Sequence, residues 1–162
     1  MDESDEVFRG FVASLLAFSA RLQNVRAGFA TILRLSPIQY TILVAIGHME
    51  ATDDVNVGLI AEHLHLSGAF VTIESGKLAK LGLIEKRRDT KDRRKVRLIT
   101  TKKGWELIES LAPVQRHVND VLFGCFTAAQ FKDLCNLAPK LVHTADQALR
   151  LVYYYAEDRA LV

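Results

Sequence analysis

The chain has 162 residues, 49% hydrophobic and 25% charged, with a formal net charge of +2. That length holds one domain with a proper core, or a small domain with an appendage that a partner buries. It leaves no room for a second enzyme domain, and the composition excludes a disordered chain. The acidic start Met-Asp-Glu-Ser-Asp-Glu and the lack of an apolar run near the roughly 20 residues of a bilayer span set the expectation of no secretory signal and no membrane association. The only two cysteines, Cys125 and Cys135, show no paired metal-ligand spacing, so a reducing cytoplasm is the expected location and buried thiols the expected role.

From Asp5 to Leu33 apolar residues recur at helical spacing, among them Phe8, Phe11, Leu15, Leu22, Phe29 and Leu33, which predicts one long helix with a wide apolar face. Ser36-Pro37 then reads as an N-cap followed by proline in the first turn. It opens a helix through Tyr40, Leu43 and Ile46 that Gly47 and the polar run from Glu50 are expected to end. Asn56 follows, suited either to a very short strand at Val55 to Val57 or to capping the helix of Leu59, Ile60 and Leu64. After a break at His65-Leu66, Ser67 caps a further helix with Val71, Ser75, Leu78 and Leu81 facing inward, and Gly82 stops it. Two short helices joined this tightly predict a helix-turn-helix, whose second helix enters the major groove of DNA. His63 and His65 are expected at the surface rather than on a metal.

Leu83 to Arg87 and Val96 to Thr100 read as two strands of a hairpin. Between Lys77 and Lys103 there are twelve Lys or Arg against three acids, so the remainder of the chain is acidic and the positive charge is concentrated on this hairpin. Such a field suits a polyanion. Thr101 to Phe126 predicts a helix bent near Pro113, and Thr127 caps a last helix that Pro139 should kink or break. These terminal helices are apolar and have no lobe of their own to pack on, which predicts a homodimer.

The stretch Leu81-Gly82-Leu83-Ile84-Glu85-Lys86, then Asp89-Thr90-Lys91-Asp92-Arg93-Arg94, Leu98-Ile99-Thr100 and Lys103-Gly104 resembles the MarR (multiple-antibiotic-resistance regulator) family, and Ser36-x-x-Gln39 fits it too. The resemblance implies a mainly α fold with a small β-hairpin wing: a winged helix-turn-helix over residues 36–101, flanked by dimerisation helices over 1–35 and 102–162. It implies a homodimeric transcription regulator, usually a repressor, that reads a pseudopalindromic duplex. Arg94 corresponds to the wing-tip arginine that reaches the minor groove, and Asp92 to the acid that holds the wing's arginine. The DNA-facing set is then Ser67, Gly68, Ala69, Phe70, Thr72, Ile73 and Lys77 on the second helix of the motif, with Arg87, Lys91, Asp92, Arg93, Arg94 and Lys95 on the wing. Many family members carry an arginine in the middle of that helix and this chain does not, so Ala69, Phe70, Thr72 and Ile73 are candidates for thymine methyls or for core.

A ligand pocket is expected between the first helix, the start of the second and the helix from Thr101, with Phe29, Tyr40 and Trp105 as apolar walls and Arg26 or His48 to meet a negative charge. A run Ala-Phe-Val-Thr-Ile-Glu reminiscent of regulators of aromatic-acid catabolism suggests an aromatic carboxylate or its coenzyme A thioester as inducer. No nucleotide-binding Gly-rich loop, Gly-x-Ser-x-Gly or His-Glu-x-x-His occurs, so neither an enzyme nor a cofactor is expected. The alternative is a winged-helix protein-interaction module without a DNA target.

Overall fold

The computed structural model describes residues 3–51, 54–88 and 96–159. They form α1 (Glu3–Ile32), α2 (Pro37–Met49), α3 (Val57–Leu64), α4 (Gly68–Lys80), β1 (Ile84–Arg88), β2 (Val96–Thr100), α5 (Lys102–Ser110), α6 (Ala112–Phe123) and α7 (Ala128–Arg159). The fold is thus mainly helical with one antiparallel hairpin, in which Ile84 pairs with Thr100 and Arg88 with Val96. The chain divides into two compact units, Met1–Gln115 and Arg116–Val162.

Each helix of the first unit starts and stops where its local chemistry dictates. Ser36 caps α2 through a capping box: its Oγ accepts from Gln39 N–H at 3.2 Å, and Gln39 Oε1 accepts from Ser36 N–H at 3.2 Å. Asn56 serves both of its expected roles, capping α3 by accepting from Leu59 N–H at 3.0 Å and forming an antiparallel bridge with Arg97. The neighbouring Val55 carbonyl accepts from Leu98 N–H at 2.8 Å, which ties β2 to the start of α3. At the turn of the motif His65 takes a left-handed conformation with φ 51°. Gly82, with φ 72°, ends α4 as the residue after its C-cap, and the next amide, Leu83 N–H, reaches back to Leu78 O at 3.0 Å.

The core of this unit gathers one face from each element: Phe29 and Ala30 of α1, Ile42, Leu43 and Ile46 of α2, Ile60 of α3, Val71 and Leu78 of α4, and Leu98 of β2. Three sequence expectations need correction here. Gly47 does not end α2 but lies inside it, where the missing side chain makes room for the Trp105 ring: an added Cβ would come within 3.0 Å of Trp105 Cη2. Leu81, expected inward, is the C-cap of α4 and is exposed. The helix after Thr101 is interrupted at the buried Leu111, which places Pro113 in the first turn of α6, where its missing N–H is harmless.

In the second unit Thr127 and Gln130 form a further capping box at the head of α7, with Thr127 N–H donating to Gln130 Oε1 at 2.9 Å. Phe123 and Phe131 meet edge to face at 5.6 Å. Pro139 neither breaks nor ends α7, which runs on through it. The carbonyl left without its helical partner is that of Cys135, an exposed residue whose backbone water can serve. Cys125 and Cys135 are both exposed in the single chain, contrary to the expectation of buried thiols. No single described helix is long and apolar enough to cross a membrane.

Candidate nucleic-acid interface

α3 and α4 form the helix-turn-helix, and the burial of α4 divides it cleanly. Val71, Glu74, Ser75 and Leu78 face the core, whereas Gly68, Ala69, Phe70, Thr72, Ile73 and Lys77 are exposed. The DNA-facing residues expected on this helix therefore share one solvent-facing surface, and those that were also candidates for core lie outside it. Phe70 is 39% and Ile73 57% exposed, and one helical turn apart they make a small apolar patch with Ala69.

The polar side chains of α4 are engaged internally. Ser67 Oγ accepts from Phe70 N–H at 3.2 Å as the N-cap, and Thr72 Oγ1 donates to Gly68 O at 2.8 Å. Ser75 donates to Thr72 O at 3.2 Å. Glu74, only 5% exposed, accepts from Gln39 Nε2 at 3.3 Å through one carboxylate oxygen and from Lys77 Nζ at 2.6 Å through the other. Gln39 is the same residue that closes the capping box of α2, so a single polar chain joins Ser36, Gln39, Glu74 and Lys77. It holds the head of α2 against the middle of α4 and orients Lys77 at the edge of the exposed face. Sequence reasoning did not find Glu74, although its position three residues before Lys77 on a helix is the signal for such a pair.

The hairpin adds cations beside this surface. Lys86 Nζ reaches Thr72 O at 3.4 Å, lying alongside Gly76, while Arg87 pairs with Glu85 at 2.5 Å and Arg88 is exposed. At its base the hairpin is anchored three ways. Thr100 N–H donates to Glu50 Oε2 at 2.8 Å, Arg97 pairs with Asp54 at 2.5 Å, and Thr101 caps α5 by accepting from Gly104 N–H at 3.0 Å. Lys91, Asp92, Arg93, Arg94 and Lys95 lie outside the described residues.

Of the residues expected around a ligand, Arg26, Phe29 and Tyr40 pack as one cluster and Trp105 packs elsewhere on α2. Arg26 lies over the Tyr40 ring, its guanidinium carbon 5.6 Å from the centroid, and Phe29 meets the same ring edge to face at 6.3 Å. Phe29 and Tyr40 are buried, which makes them packing residues rather than open walls. Burial raises the Tyr40 pKa above its ordinary value, and the Arg26 charge opposes that shift. Trp105 packs instead at the far end of α2 against Gly47, and His48 is exposed. Arg26 does line an open groove of about 530 Å³, together with Gln23, Pro37, Ile38, Thr41, His63, Leu64 and Leu66. Among the described residues no cluster of His, Cys, Asp or Glu could hold a metal ion.

Residues 35–95 match the model of the MarR family. No curated protein sequence matches the chain significantly. Among solved structures, the chain resembles a MarR protein of Peptoclostridium difficile with a TM-score of 0.69 at 20% identity, covering 88% of this chain and 91% of that one. It also resembles a MarR/EmrR family transcriptional regulator of Acinetobacter sp. ADP1, with a TM-score of 0.70 at 22% identity over 87% of this chain and 98% of that one. A third similar structure is the S. aureus MepR–DNA complex, with a TM-score of 0.65 at 15% identity over 81% of this chain and 93% of that one.

Proposed function

From the premise that the chain has the MarR winged-helix fold and carries that family's sequence pattern over residues 35–95, we propose that it is a homodimeric, sequence-specific DNA-binding transcription regulator, a repressor that a small ligand releases. The observation that carries this reading is the exposed outer face of α4, the second helix of a helix-turn-helix, beside a hairpin whose described strands already bear Lys86, Arg87 and Arg88. The presence of DNA in the similar MepR structure supports the same use of this fold. Ser67, Gly68, Ala69, Phe70, Thr72, Ile73 and Lys77 would face the major groove, with Arg87, Lys91, Arg93, Arg94 and Lys95 on phosphates or in the minor groove and Asp92 steadying the wing. The test is selection of bound duplexes from a random pool. Recovery of a pseudopalindrome with half-sites about one helical turn apart supports the reading; recovery of no sequence preference leaves a protein-interaction module instead.

Dimerisation is supported by the exposed apolar face of α1, where Phe8, Phe11 and Leu15 follow one another at helical spacing, and by Leu137, Leu141 and Tyr153 on α7. α1, with residues 102–162, would supply that interface and residues 36–101 the DNA-binding lobe. The cytoplasm is where such a regulator meets its DNA. For the inducer, an aromatic carboxylate or its coenzyme A thioester suits the groove beside Arg26, whose walls are Ile38, Leu64 and Leu66. By linkage such a ligand must prefer the DNA-free conformation, and a coupling of about 1–3 kcal/mol would weaken DNA binding some 5–150-fold. A mobility-shift titration with benzoate-, salicylate- and cinnamate-type acids and their thioesters, on wild type and Arg26→Ala, checks it: release of wild type but not of the variant is expected.

A further inference from the structure

We infer that α4 reads DNA sequence through thymine methyl groups, its outer face acting as a hydrocarbon reader in place of a hydrogen-bonding one; the inference deepens the DNA-binding reading above and rests on it. Between Ser67 and Gly76 the chain has no Arg, Lys, His, Asn or Gln, so that stretch lacks every side chain that makes a bidentate contact to guanine or adenine, and the next residue, Lys77, is held by Glu74. The one acid of the stretch, Glu74, is the residue type that would accept from a cytosine amino group, but it is buried and holds Gln39 and Lys77 instead. The hydroxyls of the stretch are largely engaged as well. Thr72 spends its one hydroxyl proton on Gly68 O, and Ser67 Oγ accepts from the Phe70 amide, which leaves the single Ser67 proton as the one hydroxyl donor of this stretch not spent within the helix.

The apolar groups of this exposed stretch belong to Ala69, Phe70, Thr72 and Ile73. This hydrocarbon patch is rimmed by cations: Lys77 at the end of the polar chain from Ser36, and Lys86, which leans from β1 onto the Thr72 carbonyl. The rim is complementary to phosphate, while the centre is complementary to the one apolar group on the major-groove edge of the bases, the C5 methyl of thymine. Side chains three and four apart on a helix stand about 5–6 Å from one another. Successive bases on one strand are about 3.4 Å apart, so Phe70 and Ile73 would meet methyls one or two base steps apart.

The experiment compares the selected duplex with versions in which single thymines are replaced by uracil, a change that removes the methyl and keeps every hydrogen-bonding group. One or two positions per half-site should each lose about 4-fold in affinity, the worth of one buried methyl-sized group. Replacing those same base pairs by ordinary C·G should weaken binding, and 5-methylcytosine there should restore part of the loss. Phe70→Ala and Ile73→Ala should abolish the thymine-over-uracil preference at distinct positions; because both side chains are exposed, circular dichroism should show these variants folded. Thr72→Ser, which keeps the hydroxyl bond and deletes the methyl, should do the same in smaller measure. Full affinity for every uracil-substituted duplex, with sequence preference intact, overturns the inference and leaves DNA binding standing. A protein that selects no duplex overturns the DNA-binding reading and this inference with it.

Discussion

Trp105 donates its indole N–H to Glu50 Oε1 at 3.0 Å while the other oxygen of the same carboxylate accepts from the Thr100 backbone at 2.8 Å. Glu50 is the C-cap of α2, so one side chain fastens the end of that helix to the last residue of β2 and to α5. Removing it leaves two N–H donors to be served by water alone. We expect Glu50→Ala to cost about 1–3 kcal/mol and Trp105→Phe, which loses one bond, to cost less. Urea denaturation followed by circular dichroism checks the order. Trp105 is the only tryptophan, so its emission in Glu50→Ala reports loosening of this corner directly, and unchanged emission with unchanged stability would remove the fastening role.

Two glycines of the lobe should respond to alanine in opposite senses. A Cβ on Gly104 would lie 2.1 Å from the Leu83 carbonyl oxygen, a backbone atom that itself accepts from Thr101 N–H. Gly104→Ala is expected to destabilise by about 3 kcal/mol or more, since neither backbone segment can retreat without breaking the start of α5. A Cβ on Gly76 would meet only the flexible end of Lys86, at 3.9 Å. Gly76→Ala should therefore stabilise α4 by about 0.5–1 kcal/mol, the ordinary gain for a helix interior. Thermal denaturation of the two variants side by side gives the signs.

Tyr40 sets an alkaline limit. Burial holds its hydroxyl protonated past the point where a free tyrosine ionises, and the Arg26 charge partly offsets this. A group whose folded pKa is raised binds more protons in the folded state than in the unfolded one across that interval, so its contribution to stability is present below its ordinary pKa and is lost as pH rises above it. Tyrosinate absorbance against pH should therefore contain a late phase, above the ordinary tyrosine range, that belongs to Tyr40. Tyr40→Phe should remove the late phase and flatten the fall in stability at high pH, whereas Arg26→Ala should move that phase to still higher pH. An absorbance curve unchanged by Tyr40→Phe at high pH would contradict the burial argument.

For the proposed wing, Arg94→Ala is expected to reduce the dependence of log affinity on log salt by about 0.9 if the arginine neutralises one phosphate. It should also reduce any preference for a narrow A·T-rich minor groove. Unchanged binding over about 50–200 mM salt would dissociate the hairpin from DNA recognition.

The features readable in the chain were those whose causes are local. Ser36 with Pro37, Asn56, Ser67, Gly82, Thr101 and Thr127 each act on backbone groups within a few residues, and each begins or ends a helix as its chemistry requires. Misreadings arose where a distant residue decides. Gly47 carries a helix-ending signal, yet α2 runs on to Met49 and the glycine instead makes room for the Trp105 ring, a contact no periodicity contains. Trp105, expected with Phe29 and Tyr40 as an apolar wall of a ligand pocket, packs at the other end of α2 against Gly47, and Arg26, Phe29 and Tyr40 form their own cluster. Gln39 and Glu74 look like surface residues until the fold brings them together. The exposed face of α4 was half legible: its apolar composition is written in residues 69–73, but whether those side chains serve core or surface depended on how the helix is rotated about its axis.

The attachment of β2 to Val55 and Asn56 bears on behaviour at high concentration. A two-stranded ribbon has two free edges, and unpaired edges are templates for strands of other molecules. Here the edge of β2 at its base is occupied, with Leu98 bonded to the Val55 carbonyl and Arg97 bridged to Asn56. The other edge belongs to β1, where Lys86, Arg87 and Arg88 follow one another and would face the same three cations on an approaching copy. One edge is thus guarded by pairing and the other by repulsion, so copies of this chain can crowd together without their hairpins joining into a shared sheet.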